Sequence, residues 1–268
     1  RLDTTKERSL MKIVVLVKEV PDTYGDRVLD LETGLAQRDA GDRVLDEIGE
    51  RALEVALAHA DASGDAEVVL LSMAPEAATT SLRRGLAMGA ASAVQVVDEG
   101  LVGADLGLTS QVLAAALDRI GFDLAITGNL STDGTGGVLP AMIAELLDIP
   151  AATALTSVRI GDGEVAGVRA SDAGTMEVSA ALPAVISITE ALPDPRMANF
   201  KGIMAAKKKP FETLTLADLD IDPLDARWSR SIMIGIAEKP PRAAGVKIVD
   251  EGDAGEKLAD FLVENRLA

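Results

Sequence analysis

The chain has 268 residues and a formal net charge of −17 at pH 7, with no cysteine and a single histidine. This composition excludes disulfides, a cysteine-ligated zinc or iron–sulfur site, a catalytic thiol and a multi-histidine metal site within the chain. The acidic balance also argues against nucleic-acid binding and against attachment to anionic membranes, because both depend on clustered basic side chains.

The first ten residues are polar and charged and lack the apolar core of a signal peptide. We therefore expect residues 1–10 to form an extension outside the fold. No apolar run has the length of a membrane-spanning helix. These features predict a cytoplasmic protein without direct membrane insertion.

Residues 11–150 alternate between short buried-strand patterns and stretches with apolar residues at helical spacing. Strands are predicted at 12–17, 66–72, 93–97 and 122–127, and helices at 45–60, 76–88, 106–120 and 138–147. Alternation of this kind is typical of parallel strands joined by right-handed helical crossovers. The predicted fold class is α/β, with a doubly wound and mostly parallel sheet.

The pattern changes after residue 150. Short β-like runs at 153–160, 163–171, 176–182 and 184–189 are joined by Gly-Asp-Gly and Asp-Ala-Gly turns, which predicts antiparallel hairpins extending the sheet edge. Residues 193–210 are predicted as a loop with a basic cluster, 215–219 as a short turn or helix, and 255–266 as a final helix. The α/β domain is thus predicted to span 11–210.

Residues 211–268 are predicted to form a C-terminal arm. Much of this segment lacks regular periodicity, although it contains apolar residues such as Trp228, Ile232 and Ile234. A long segment of this kind is unusual inside a compact domain. Two interpretations stand: the arm packs against another chain, or it folds back on its own domain.

The strongest local signal is a glycine-rich segment, residues 128–137, which we call the glycine loop. It follows a predicted buried strand and precedes a helix, a position at which open α/β folds bind ligands. Glycines let a phosphate approach the backbone, and the helix N-terminus offers free N–H groups. The loop matches neither the P-loop nor the Rossmann fingerprint, so an ordinary strand-to-helix turn is the alternative. Asp133 would repel phosphate, cap the helix, or hold a ribose or an arginine.

Other charged groups carry weaker signals. Asp46 and Glu47, with Glu50 and Glu54 nearby, would suit an acid–base pair, but such carboxylates are more typical of a solvated helix face. His59 is expected at a surface position near a helix end. No catalytic residue and no metal ligand is predicted.

The residues 196–209, which we call the basic segment, concentrate positive charge in an acidic chain. Lys207, Lys208 and Lys209 follow the apolar residues Phe200, Ile203 and Met204. The cluster is either a solvated helix end or a docking surface for an acidic partner with apolar anchors.

Seven stretches, collinear along the chain, resemble the β (small) subunit of electron-transfer flavoprotein. They are KIVVLVKEVPD at 12–22, DEIGERALEVAL at 46–57, LRRGLAMGA at 82–90, TGNLSTDGTGG at 127–137, LPAVISITEALPDPR at 182–196, FKGIMAAKKK at 200–209 and PPRAAGVKI at 240–248. The most specific are GIMAAKKK and RAAGVK.

The resemblance implies an adenine-nucleotide-binding (HUP-like) α/β fold within an αβ heterodimer. FAD would lie mainly on the α subunit, at the interface, and this chain would hold AMP in a structural role, whereas some relatives hold a second FAD there. The C-terminal arm would pack on the α subunit. The basic segment would recognise dehydrogenases, such as acyl-CoA dehydrogenases of fatty acid oxidation, through a surface around Phe200.

By the resemblance, the cofactor contacts fall on residues of four segments: Leu16; Asp46, Glu47, Ile48 and Gly49; Met73; and Gly128, Asn129, Leu130, Ser131, Thr132, Asp133, Gly134, Thr135, Gly136, Gly137, Val138 and Leu139. The partner contacts fall on Arg196, Asn199, Phe200, Lys201, Ile203, Met204, Lys207, Lys208 and Lys209. The chain departs from the family pattern at 131–135, where Ala-Ile-Asp-Asp-Asp is frequent, and at 46–47, where Asn-Pro is common.

Three functional hypotheses follow. In the first, the αβ complex accepts electrons from dehydrogenases on FAD and passes them to a quinone-reducing partner, so this chain is a carrier subunit. In the second, the chain holds its own FAD and takes part in electron bifurcation from NADH. In the third, it is a stand-alone adenine-nucleotide-binding protein resembling universal stress proteins.

Overall fold

The computed structural model describes residues 10–25, 27–225, 228, 230–242, 244–245, 247 and 249–268. The predicted extension lies outside the described residues except for Leu10, and so do residues 243, 246 and 248 of the last stretch that carries the family resemblance. The chain divides into two compact units, one ending at Ile234 and the other spanning Gly235–Ala268.

The first unit is built on a sheet that has nine strands among the described residues, with a separate antiparallel pair formed by β2 and β3. In chain order the strands are β1 Met11–Leu16, β2 Glu19–Pro21, β3 Arg43–Leu45, β4 Ala66–Met73, β5 Ser92–Val96, β6 Leu124–Gly128, β7 Ala151–Ile160, β8 Glu164–Ser171, β9 Gly174–Ala181, β10 Ala184–Ile188 and β11 Phe211–Leu214.

The α-helices follow the predicted alternation. They are α1 Glu47–Ser63, α2 Thr79–Met88, α3 Leu106–Ile120, α4 Leu139–Leu146, α5 Phe200–Ala206 and, in the second unit, α6 Ala254–Glu264. The predicted helix 76–88 begins with a 3-10 turn, Glu76–Ala78, before α2. α5 forms within the basic segment, where a loop was predicted, because Asn199 caps its first turn.

The large sheet has the order β11-β5-β4-β1-β6-β10-β7-β8-β9. Its strands are parallel from β11 to β7, and β8 and β9 continue it as antiparallel neighbours. The predicted doubly wound fold with added hairpins is therefore confirmed. The chain runs outward from β1 through β4 and β5, and then returns to β6 on the other side. The carboxyl ends of β1 and β6 thus border the crevice where ligands bind in such folds.

One strand prediction was wrong. The run at 184–189 was assigned to an edge hairpin, but β10 lies inside the sheet, parallel to both β6 and β7. All five of its residues are buried. A continuous apolar run is typical of a strand covered on both faces. The short turn between β9 and β10 instead suggested a hairpin, which led to the wrong prediction.

The sheet also continues past residue 210, the predicted end of the α/β domain. β11 pairs in parallel with β5, from Phe211 beside Ala93 to Leu214 beside Val96. A four-residue edge strand offers too little periodicity to be recognised from sequence. The predicted arm therefore begins with a strand of the sheet, and the second compact unit starts only at Gly235.

Two apolar cores cover the two faces of the sheet. Alternate residues of β1 point in opposite directions. Ile13 packs in a core with α1 and α2, where Leu53 and Leu86 are fully buried. Val14 packs in the other core with α3 and α4, which includes Leu117. This layering holds the strand ends at the crevice in a rigid arrangement.

Among the described residues, no helix combines the length and the apolar character that crossing a bilayer requires.

Candidate functional site

The glycine loop leaves β6 at the crevice, directly beneath the start of α1. A Cβ added at Gly128 would lie 2.6 Å from Ile48 Cγ2 in the first turn of α1. That separation is far below ordinary van der Waals contact, so Gly128 permits the close crossing of helix and loop. Gly49 is buried near Val17, just beyond β1. α1 is thereby held over the carboxyl ends of β1 and β6.

Asp46 joins three segments at this point. The residue is 3% exposed, and its carboxylate accepts hydrogen bonds from the N–H of Ile48 at 3.4 Å and of Thr132 at 2.8 Å. Its own N–H donates to the carbonyl of Lys18 at 2.8 Å. Burial raises the pKa of the carboxyl group, against the opposing effect of these hydrogen bonds. Asp46 therefore caps α1 and fixes the glycine loop.

Asp133 forms the charged centre of the loop. Its carboxylate lies 2.8 Å from Lys18 Nζ and 3.1 Å from Arg38 Nη2. Burial opposes ionisation, but the hydrogen bond and charge of Lys18, with further help from Ser131 and Arg38, hold the pKa at about 2. Of the roles predicted for Asp133, binding of an arginine is seen in the structure, through Arg38.

Lys18, Arg27 and Arg38 converge on the loop, and sequence reasoning missed all three. The guanidinium of Arg27 donates to the carbonyl of Thr132. Lys18 follows β1 at the ligand-binding edge, and this position could have identified it as a candidate site residue from the sequence. Arg27 and Arg38 come from an irregular segment between β2 and β3, which has no periodicity to place them.

The outer part of the glycine loop faces solvent. Residues 134–138 are exposed, and Thr135 and Gly137 adopt positive φ angles of 48° and 68°. α4 follows with Val138 at its N-cap and no side-chain cap, and with Pro140 in its first turn. N–H groups at an uncapped helix start favour an anion. The outer part of the loop thus exposes backbone groups next to the uncapped start of α4.

The remaining predicted cofactor residues lie near the same edge. Leu16 is the last residue of β1 and Met73 is the last residue of the adjacent β4, and both pack against the α3–α4 core. Asn129 donates its N–H to the carbonyl of Ile188 at 2.8 Å, whereas its buried Oδ1 accepts no hydrogen bond. Glu47 points to Arg51, at 2.9 Å. The residues predicted from sequence are therefore gathered at one edge, and Glu47 takes part in an ion pair on the outer face of α1.

Replacing Asp133 by asparagine is expected to lower the free energy of unfolding by about 1–2 kcal/mol at neutral pH, because Lys18 and Arg38 lose a partly buried counter-charge. The folded pKa of about 2 lies below the ordinary value of 3.8. The contribution is thus complete above the ordinary value and is lost as the pH falls through the folded value. Urea unfolding at neutral pH and at about pH 3 should show the difference between the proteins roughly halved at the lower pH. A pH-independent difference would contradict this account.

The basic segment exposes its apolar residues on α5. Phe200 is 80% exposed, and Ile203 and Met204 are about half exposed. Lys201, Lys207 and Lys208 are exposed and form no ion pair with the residues that the structure describes. Exposed apolar side chains rimmed by free cations are typical of a surface that binds another protein.

Two predicted partner residues of this segment bind within the chain. Lys209 Nζ donates to the carbonyls of Leu86 at 2.8 Å and Ala90 at 2.6 Å, and burial lowers its pKa. Lys209 therefore caps the end of α2. The guanidinium of Arg196 binds two carboxylates of α1.

A cavity of about 440 Å³ lies between α2 and the basic segment. Its lining combines basic side chains, including Arg83, Arg84 and Lys207, with apolar ones, including Met197 and Ile203. Such a lining suits an apolar side chain from an acidic surface.

Apolar side chains are also exposed along the predicted arm. Ile232 and Ile234 are almost entirely exposed in the first unit, and in the second unit α6 exposes Leu258, Phe261 and Val263. Apolar exposure on this scale is typical of protein-binding surfaces.

Comparison with known proteins agrees with this arrangement. The family model described as electron transfer flavoprotein domain matches residues 34–219. The electron transfer flavoprotein subunit beta of Mycobacterium leprae is 42% identical over 96% of this chain and 100% of its own length. That of Bacillus subtilis is 34% identical over 94% of this chain and 96% of its own length. Subunit CarD of the caffeyl-CoA reductase-Etf complex of Acetobacterium woodii is 32% identical over 80% of this chain and 81% of its own length.

The matches span both the glycine loop and the basic segment, and the strongest extend over nearly the whole chain. The chain therefore belongs to the electron transfer flavoprotein family, in its β-subunit branch.

Proposed function

We propose that this chain binds AMP at the glycine loop and pairs with an α subunit to form an electron carrier. The observation that supports this most is the organisation of the crevice, where Asp46 ties the glycine loop to α1 while the loop's outer glycines and the uncapped start of α4 remain exposed. A phosphate fits such backbone groups. The orphaned Oδ1 of Asn129 offers an acceptor for an amino group such as that of adenine.

The residues of the site have structural roles consistent with a bound nucleotide. Asp46 and Asp133 engage backbone and cationic groups, and no group of three or more metal-ligating side chains occurs among the described residues. FAD, held mainly by the α subunit, would supply the electron-carrying ring when bound. This chain would hold the loop, close the flavin site and present the basic segment.

The partner assignments follow the exposed surfaces. The apolar side chains of 228–234 and of α6 are proposed to pack on the α subunit. Phe200, Ile203 and Met204, with Lys201, Lys207 and Lys208, are proposed to contact acyl-CoA or related dehydrogenases. Electrons would pass from these donors through FAD to a quinone-reducing acceptor.

The nucleotide content of the heterodimer tests the proposal. The chain is co-expressed with its α subunit, and the purified complex is denatured so that FAD and AMP can be quantified. We expect one FAD and one AMP per complex, and this chain purified alone should retain no stoichiometric FAD. Two FAD and no AMP would replace the carrier with a bifurcating complex, and absence of any heterodimer would contradict both.

A further inference from the structure

The start of the basic segment is fixed to the outer face of α1 by a fork of ion pairs. Arg196 donates to the Glu54 carboxylate from its backbone N–H at 2.9 Å, from Nε at 2.8 Å and from Nη2 at 2.9 Å. Its Nη1 reaches the Asp61 carboxylate at 2.8 Å. All donors thus bind one helix, and the guanidinium plane is fixed relative to α1.

A second arginine holds the chain just upstream. Arg51 donates to the carbonyl of Leu192 at 2.5 Å and to the carboxylates of Asp194 at 2.5 Å and Glu47 at 2.9 Å. Residues 192–196 therefore lie along α1, with one arginine supplied by the helix and one by the segment. The same helix is capped at its start by Asp46, which holds the glycine loop.

This attachment decides where α5 points. α5 has seven residues and starts four positions after Arg196, and a helix that short does not persist without tertiary contacts. Its C-terminal end is held by Arg83, which donates to the carbonyl of Ala206 at 2.9 Å. The Arg196 fork is the corresponding anchor near its start, next to the exposed ring of Phe200.

We propose that Glu54 and Asp61 are positioning residues, which act through Arg196 to hold the docking surface of α5 in the orientation that a dehydrogenase recognises. The hydrogen bonds of a guanidinium are directional. Changing one carboxylate therefore alters the orientation of the basic segment as well as the local charge. The inference rests on the proposed function, in which α5 contacts the electron donor.

The test uses the αβ heterodimer loaded with FAD, and an acyl-CoA dehydrogenase with its acyl-CoA substrate as donor. The double variant Glu54→Gln/Asp61→Asn is expected to raise the KM for the dehydrogenase about tenfold. The kcat at saturating dehydrogenase, the FAD content and the melting temperature should stay unchanged. Arg196→Lys, which keeps the charge but loses the fork, should also raise the KM. The exchange Glu54→Arg/Arg196→Glu should bring the KM part of the way back towards that of the original heterodimer.

Asp118→Asn on α3 is the matched control, because it removes an exposed carboxylate on the opposite face of the sheet and should leave the KM unchanged. Phe200→Ala separates the two levels of inference. If it raises the KM while the double variant does not, the positioning role is overturned. If Phe200→Ala leaves the KM unchanged, α5 is not the docking element and the proposed function fails at that point. Loss of FAD or of the heterodimer in the double variant would also overturn the positioning role, since the carboxylates would then support the fold as a whole.

Discussion

Asp46→Ala is expected to destabilise the protein by about 2 kcal/mol and to release the nucleotide from the purified heterodimer. Loss of an N-cap costs about 1 kcal/mol, and an unsatisfied N–H at Thr132 adds roughly 1–3 kcal/mol. Removing a buried carboxylate offsets part of this cost. Urea unfolding and AMP content after purification measure the two effects.

Asp46→Asn is the matched variant. Ile48 donates to one carboxylate oxygen of Asp46 and Thr132 to the other, so an amide keeps one of these two acceptors and loses the charge. It should be destabilised less than Asp46→Ala, by about 1 kcal/mol for the hydrogen bond that it retains, and it should keep more of its nucleotide. Since burial raises the folded pKa of Asp46 above its ordinary 3.8, the carboxyl's favourable contribution is present below that value and is lost as the pH rises through the folded pKa. The stability of Asp46→Asn relative to the original protein should therefore increase over that range. Equal losses from Ala and Asn would contradict this account, because the acceptor oxygen that Asn retains would then contribute nothing.

Gly202→Ala is expected to raise the KM for the donor dehydrogenase at least tenfold while leaving FAD content unchanged. A Cβ at this position would collide with the backbone carbonyl of Ala87 in α2, and overpacking of this kind costs about 1–3 kcal/mol. α5 would have to move away from α2 or unwind, which would displace Phe200. Steady-state kinetics with varied dehydrogenase, together with flavin absorbance, give the two readouts.

The direction of this effect is informative, because alanine in place of glycine inside a helix ordinarily stabilises it by about 1 kcal/mol. Gly41→Ala is the control, since its added Cβ would have no atom within 4 Å and its backbone is extended at φ −161°. Unchanged donor kinetics in Gly202→Ala would mean that the close contact between α5 and α2 is not needed for docking.

Much of the α/β domain follows from local sequence patterns. The helix predicted at 106–120 has the observed bounds. β4 begins where predicted and ends one residue later, and β6 starts two residues and ends one residue later than predicted. These elements have long apolar runs or clear helical spacing, which act over a few residues. The glycine loop can equally be predicted from the sequence, because its glycines follow a buried strand.

Some elements whose packing partners are distant in sequence were predicted less accurately. β10 takes its place between β6 and β7 through parallel pairing with residues more than thirty positions away, and β11 joins an edge formed by β5. α5 needed both its Asn199 cap and its packing on α2. Local periodicity contains no information about which strand lies beside which.

By itself, the sequence determined the fold class, the glycine loop and the presence of a basic, apolar segment, because each depends on residue types at short spacing. Only the tertiary structure decided which charges meet. It places Lys18 and Arg38 beside Asp133, and Arg196 beside Glu54 and Asp61. It also places Lys209 at the end of α2. These five pairings join residues separated by 95 to 142 positions. Ion pairs form where the packed sheet and helices place the side chains, and that placement is a property of the whole core.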